Sequence, residues 1–212
     1  MSRRFLLLAA GAGLAGALAL APRPRDLRLP GAGAASLLGP LRPAVATVVR
    51  LRFEVRRRDD AVMASLADAW LALSLVPESV TDFVHYASWC LHDAPVAAQS
   101  AAERERCIEA GLAMVAAGRA LHPDRHEFDW VEGRGRRRLG SAEEIAKALP
   151  LLWRAWDRAP RAPAREFLAA EFADCALVLQ AGDAIAALLA DPQTTPAVRE
   201  TLAAAVAARP GK

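Results

Sequence analysis

Beyond residue 44 the apolar positions recur three and four residues apart: Val62, Leu66, Trp70 and Leu73 in one run, Ile108, Leu112 and Val115 in a second, and Leu168, Phe172, Cys175 and Leu179 in a third. That spacing gathers each set on one face of a helix. Strand-like alternation of apolar and polar residues is rare along the chain. Local punctuation marks where the helices begin. Ser79 with Asp82, Ser100 with Glu103 and Ser141 with Glu144 are capping boxes, in which a serine and a carboxylate satisfy the unpaired amides of a first turn. Pro163 and Pro196 suit a first helical turn, where a missing N–H costs nothing. These signals predict helices near 44–76, 80–93, 101–121, 124–132, 142–158, 163–190 and 196–208. The expected fold class is all-α.

The segment before them has a different pattern. Two arginines precede 17 uncharged, mostly apolar residues from Phe5 to Ala21, and arginines follow at 23, 25 and 28. A basic start, an apolar stretch and the small-x-small sequence Ala17-Leu18-Ala19 form the anatomy of an export signal. The same stretch lies at the lower length limit for a bilayer-spanning helix, so cleavage and retention as a membrane anchor both remain open. Residues 22–43 are rich in proline, glycine and small side chains without a periodic apolar face, which reads as a tether. The expected organisation is a signal or N-terminal hydrophobic helix at 1–21, a tether at 22–43 and one helical domain at 44–208. The expected location is the cell envelope, on the far side of the inner membrane or secreted.

Composition agrees with helices. The chain of 212 residues is 54% hydrophobic with only 6% aromatic residues, and alanine supplies much of the apolar share. A net charge of +3 arises from 27 basic and 24 acidic residues mixed along the chain, so charge alone does not imply nucleic acid. Cys90, Cys107 and Cys175 are widely separated and form no CxxC pair. Each is expected to fill a small apolar site, with Cys90 and Cys107 the nearer pair should an oxidising compartment bond two of them.

The helix junctions also repeat. Counting back 12, 8 and 5 positions from Pro77, Pro123 and Pro160 gives Ser65, Ala69 and Ala72; Gly111, Val115 and Gly118; Ala148, Leu152 and Ala155. Ten positions beyond each proline stand Ala87, Gly133 and Ala170. Between about Ser65 and Ala170 the chain therefore resembles the tetratricopeptide repeat, whose second helix carries small, aromatic and small residues before a proline. The match departs from that family in its proline spacing, 46 and 37 residues, and in having Cys90 or Arg136 at the first helix's usual tyrosine position. The resemblance implies a short array of paired antiparallel helices that binds a protein partner; a closed, non-repeating bundle is the alternative architecture. Leucine at Gly111, Gly118 or Gly133 would then overpack a junction, while alanine at Gly111 or Gly118 is expected to be tolerated.

Three stretches carry candidate chemistry. His122 and His126 have a spacing that zinc enzymes use on one helix face, but Pro123 pushes His122 out of the α region, so no metal site is expected there. His85, Tyr86, Trp89 and His92 lie along one stripe of a helix, either its polar packed edge or the lining of a partner groove. In "EGRGRRRLG" the arginines Arg134, Arg136, Arg137 and Arg138 are expected in a solvated loop, with contact to a phosphate or anionic lipid as the functional alternative. Neither a glycine-rich phosphate loop nor a GxSxG elbow is present, and no cysteine has an evident catalytic setting. The expected role is a non-catalytic interaction scaffold needing no cofactor, with an unidentified protein partner and a membrane contact through the N-terminal segment if that is uncleaved. Its alternatives are a structural envelope bundle and an anionic-surface binder.

Overall fold

The computed structural model describes residues 38–160, 164–192 and 194–207, with the side chains of 164–166, 205 and 206 also left aside. The apolar segment at 5–21 and most of the expected tether lie outside those residues. Within them all regular structure is helical, and no helix is long and apolar enough to cross a membrane. The chain divides into two compact units between Pro123 and Asp124.

The first unit opens with a helical hairpin, α1 (Arg42–Arg58) and α2 (Val62–Leu75). A single helix over 44–76 was expected. The chain instead reverses at Asp59-Asp60-Ala61, with Asp60 at φ +53°, a left-handed conformation that a short polar side chain tolerates better than most. The Ala61 amide bonds back to Arg56 O at 3.0 Å and closes the turn. Antiparallel packing follows from the pairs across it: Arg42 reaches Leu75 O, and Arg52 and Arg56 both reach Asp68. Pro77 follows α2, and Ser79 caps α3 (Val80–His92) by accepting the Asp82 amide at 3.3 Å. A single turn, α4 (Ala94–Ala97), leads to Ser100, which caps α5 (Ala101–Leu121) through the Glu103 amide at 3.1 Å. The Glu103 carboxylate bonds the Gln99 amide at 2.9 Å.

Helix α5 lies antiparallel to α3, and the contact centres on Gly111. A Cβ at that position would fall 2.6 Å from Leu91 Cγ and 3.0 Å from Cys90 Cβ. The two backbones approach closely only because position 111 lacks a side chain. The core face of α5 is made by Cys107, Ala110, Gly111, Met114, Val115 and Gly118. The expected stripe of Ile108 and Leu112 is half-buried, one position off that face. The core itself gathers Phe53, Trp70, Leu73, Phe83, Tyr86 and Trp89, with the Phe53 ring meeting Tyr86 at 4.8 Å and Trp89 at 5.0 Å edge-on.

The second unit is built on a similar hairpin, α6 (Glu127–Leu139) and α7 (Ala142–Arg158). Here the expected short helix and arginine loop are overturned: α6 runs through "EGRGRRRL" and stops at Gly140, whose φ of +78° suits glycine. Gly133 and Gly135 do not make turns; both are buried on the helix face. A Cβ at Gly133 would meet Leu152 Cγ at 2.8 Å and Leu151 Cβ at 3.3 Å. Ser141 caps α7 through the Glu144 amide at 3.2 Å.

Helix α8 (Ala164–Val178) packs on α7, with Phe172 stacked on Trp156 at 6.3 Å and tilted on Trp153 at 5.3 Å. The expected continuous helix to 190 breaks at Gln180, φ +52°, and resumes as α9 (Gly182–Ala190). Helix α10 (Pro196–Ala207) completes the unit, and Ile185, Leu188, Val198 and Leu202 close its core. Of the small and apolar positions counted from the prolines, all are buried except Ala170, which is exposed.

Candidate functional site

Of the four residues proposed along α3, only His85 reaches solvent. Tyr86, Trp89 and His92 are buried in the first unit, and Tyr86 is pushed up to about 12 by burial and by Asp82. His85 packs edge-on against Phe53 at 5.8 Å, and its Nε2 lies 3.3 Å from Glu54 Oε1. His122 leaves α5 with φ −137° and ψ +67°, outside the α region. Its Nε2 donates to Pro77 O at 3.2 Å, and its ring contacts Phe83 at 6.4 Å. His126 is the N-cap of α6, with Nδ1 at 3.2 Å from Glu127. Among the described residues no three of His, Cys, Asp and Glu gather as a metal would require.

Three arginines of α6, Arg134, Arg136 and Arg137, are engaged by carboxylates, and Arg138 is exposed. Arg136 joins Glu132 and Glu144, at 2.8 and 2.7 Å, and so ties α6 to the start of α7. Arg137 meets Asp174 of α8 at 2.7 Å. Arg134 Nε lies 3.1 Å from Glu171 Oε1, and its guanidinium lies beside both the Trp130 and Phe167 rings, at 5.8 and 5.6 Å, while the two rings meet edge-on at 6.0 Å.

Arg134 instead marks a site that the sequence reading missed. Trp130 and Arg134 stand one turn apart on α6, and Phe167 and Glu171 one turn apart on α8. Glu171, 7% exposed, accepts from Trp130 Nε1 at 3.1 Å as well as from Arg134. Burial raises its carboxyl above the ordinary value, against the pull of Arg134 and of the indole hydrogen bond. Phe167 is 47% exposed. It borders two hollows, one of about 150 Å³ with His126, Glu127, Trp130 and Leu168, and one of about 450 Å³ with Ala170, Ala173, Asp174, Ala197, Val198 and Thr201. The second is lined mostly by small and apolar side chains between α8 and α10. One local signal existed: Glu171 lies on the face of Leu168, Phe172 and Cys175, a charged residue within an apolar stripe.

The cysteine thiols are buried and held protonated. Burial pushes Cys107 and Cys175 up to about 11, with Glu103 adding to the effect at Cys107, and pushes Cys90 well above its ordinary value. Cys90 Sγ lies 4.0 Å from Met114 Sδ and fills an apolar gap, as its composition implied. No family model, curated protein or solved structure matches this chain.

Proposed function

We propose that this chain is a non-catalytic interaction protein, a set of tetratricopeptide-like helical hairpins carried beyond the cytoplasmic membrane by its N-terminal segment, whose second unit receives an apolar side chain of a protein partner. The observation that carries this reading is Phe167. It is half exposed, Arg134 holds its ring against Trp130, and it separates two hollows with apolar walls. A fixed aromatic beside apolar hollows is the kind of anchor on which interface energy concentrates. The close helix crossings at Gly111 and Gly133 support the hairpin reading, since they fall at positions where the repeat calls for small residues. Catalysis by the cysteines is disfavoured, because thiols held near 11 carry little nucleophilic thiolate at neutral pH.

Panning a displayed peptide library against the full chain tests the binding face. Enriched peptides should carry an apolar anchor and bind the parent about tenfold better than the Phe167→Ser variant, a difference of about 1.4 kcal/mol. Absence of enrichment, or equal binding to the two proteins, would overturn the reading. A carboxy-terminal reporter tests the location: activity specific to the far side of the membrane is expected, and recovery of the full-length chain in cytosol refutes export.

A further inference from the structure

Helix α1 is apolar on two opposite faces. Ala46, Val49 and Phe53 enter the core of the first unit. On the other side Leu41, just before the helix, and Ala44, Val48, Leu51 and Val55 are exposed, with Leu41 at 56%, Val48 at 47%, Leu51 at 62% and Val55 at 58%. Their spacing is three, four, three, four. That is the a/d seam of a coiled coil, with Val48 and Val55 at a and Leu51 at d.

We propose that this seam pairs α1 with α1 of a second copy, antiparallel, about a two-fold axis between Val48 and Leu51. The inference is independent of the partner reading for the second unit. The seam covers roughly 80° of the helix circumference, narrower than a face built to lie on a core or a bilayer. It also lacks the tryptophan and phenylalanine of interfacial helices. Charge argues against a lipid surface as well: Arg42 pairs with Glu78, Arg50 with Asp82, Arg52 and Arg56 with Asp68, and Arg57 with Glu54. A helix is the occupant that the spacing fits.

Charge also selects the direction. Parallel pairing would set Arg58, at the next d position, against its copy. Antiparallel pairing places the two at opposite ends, roughly 25 Å apart at 1.5 Å per residue. In that register Val48 of one copy faces Leu51 of the other, Ala44 faces Val55, and Leu41 lies along the aliphatic stem of Arg58. The flanking positions bring Arg52 beside Val45 and Thr47 beside Glu54, so no like charges meet. Each contact occurs twice, as an isologous interface requires. A seam of four turns is short beside the roughly 1,200 Å² of a stable interface, so the association is weak and reversible.

Cysteine trapping on the full chain in mild detergent reads both contact and direction. Val48→Cys and Leu51→Cys chains carrying tags of different mass are mixed and oxidised. A disulfide requires Cα atoms roughly 4.4–6.8 Å apart, which the antiparallel register provides between 48 and 51 but not between two copies of either. The mixed disulfide should exceed each homodisulfide at least about fivefold, well beyond the twofold of random collision. A random ratio, an excess of homodisulfides, or no trapping overturns the proposal. A second pair, Ala44→Cys with Val55→Cys, should also form the mixed disulfide. Adding Val48→Glu and Leu51→Glu should reduce that product at least about tenfold while leaving the melting temperature near the parent's, since both positions are exposed. Undiminished trapping in that background would equally overturn it.

Discussion

Replacing Gly111 by alanine sets two known effects against each other. Glycine in a helix interior costs roughly 0.5–1 kcal/mol relative to alanine, so propensity alone makes Gly111→Ala stabilising. The structure reverses that expectation. The new Cβ would lie 2.6 Å from Leu91 Cγ, 2.9 Å from its Cδ2 and 3.0 Å from Cys90 Cβ. The first is a branch carbon and the last is fixed to the backbone, so the clash is not relieved by swinging a chain end. Helices α3 and α5 must separate, with an overpacking cost of roughly 1–3 kcal/mol. The net result is destabilisation of about 1–2 kcal/mol. Gly133→Ala meets Leu152 Cγ at 2.8 Å and Leu151 Cβ at 3.3 Å, a slightly roomier site, and should lose about 1 kcal/mol or less. Leucine at either position should be worse than alanine. Urea unfolding monitored by tryptophan emission measures these changes. A double-mutant cycle with Leu91→Ala isolates the contact: Gly111→Ala should cost about 1–2 kcal/mol less once Leu91 is truncated. An alanine variant at 111 more stable than its parent, or a cycle with no coupling, would refute the close-approach argument.

Three further outcomes follow from buried polar groups. Asp68→Ala leaves Arg52 and Arg56 facing a buried position and should cost about 3 kcal/mol in urea unfolding, at the lower end for a broken buried pair because both arginines touch solvent; Asp129→Ala, opposite the more exposed Arg154, should cost less, about 1–2 kcal/mol. Glu171 has a raised carboxyl in the folded state, so its contribution to stability is present below the ordinary carboxylate value and is lost as pH rises through the folded value; thermal melts should show the parent losing stability relative to Glu171→Gln across that window, and a constant difference from acid to neutral pH would sink the assignment. Cys107 and Cys175, held near 11, should react with a thiol-directed disulfide reagent at least roughly a hundredfold more slowly in the native chain than in urea, as followed by mass.

What the sequence reveals depends on the distance over which each feature is decided. The three serine caps lie where they were read, because Ser79, Ser100 and Ser141 each answer to an amide three residues away. Helix α5 runs from Ala101 to Leu121 as expected for the same reason. The reversal at Asp60 escaped notice because "RRRDD" also reads as a charged helix face, and no glycine marks the left-handed residue. Gly133 and Gly135 misled in the opposite direction. Glycine between arginines looks like a turn, but both lie buried inside a helix, and Gly133 makes room for a helix that lies beyond the next turn, a need that nothing local records. The site around Phe167 was still less legible. Trp130, Arg134, Phe167 and Glu171 meet only after α7 has been laid down between them in sequence.

Buried acids carry the part of the register that apolar periodicity leaves open. Apolar faces tolerate a slip of one turn, about 5.4 Å, because another apolar residue takes each vacated place. A buried carboxylate does not. Asp68 holds Arg52 and Arg56 across the first hairpin, Asp129 receives both Arg154 donors at 3.2 Å across the second, and Glu171 joins α8 to α6 through Arg134 and Trp130. Shifting any of these pairs by a turn would leave a carboxylate buried without its arginine, a cost of several kcal/mol. The glycine contacts act in the same direction, since Gly111 and Gly133 would be replaced at the crossing by residues bearing side chains. The α6–α7 pair is fixed twice, by the Asp129 charge that must be met and by the space at Gly133 that must stay empty, while α1–α2 relies on the charge and α3–α5 on the space. Both constraints are visible in the sequence as residues out of place, an acid in an apolar stripe or a glycine inside a helix, and only the neighbouring helix shows what each one is for.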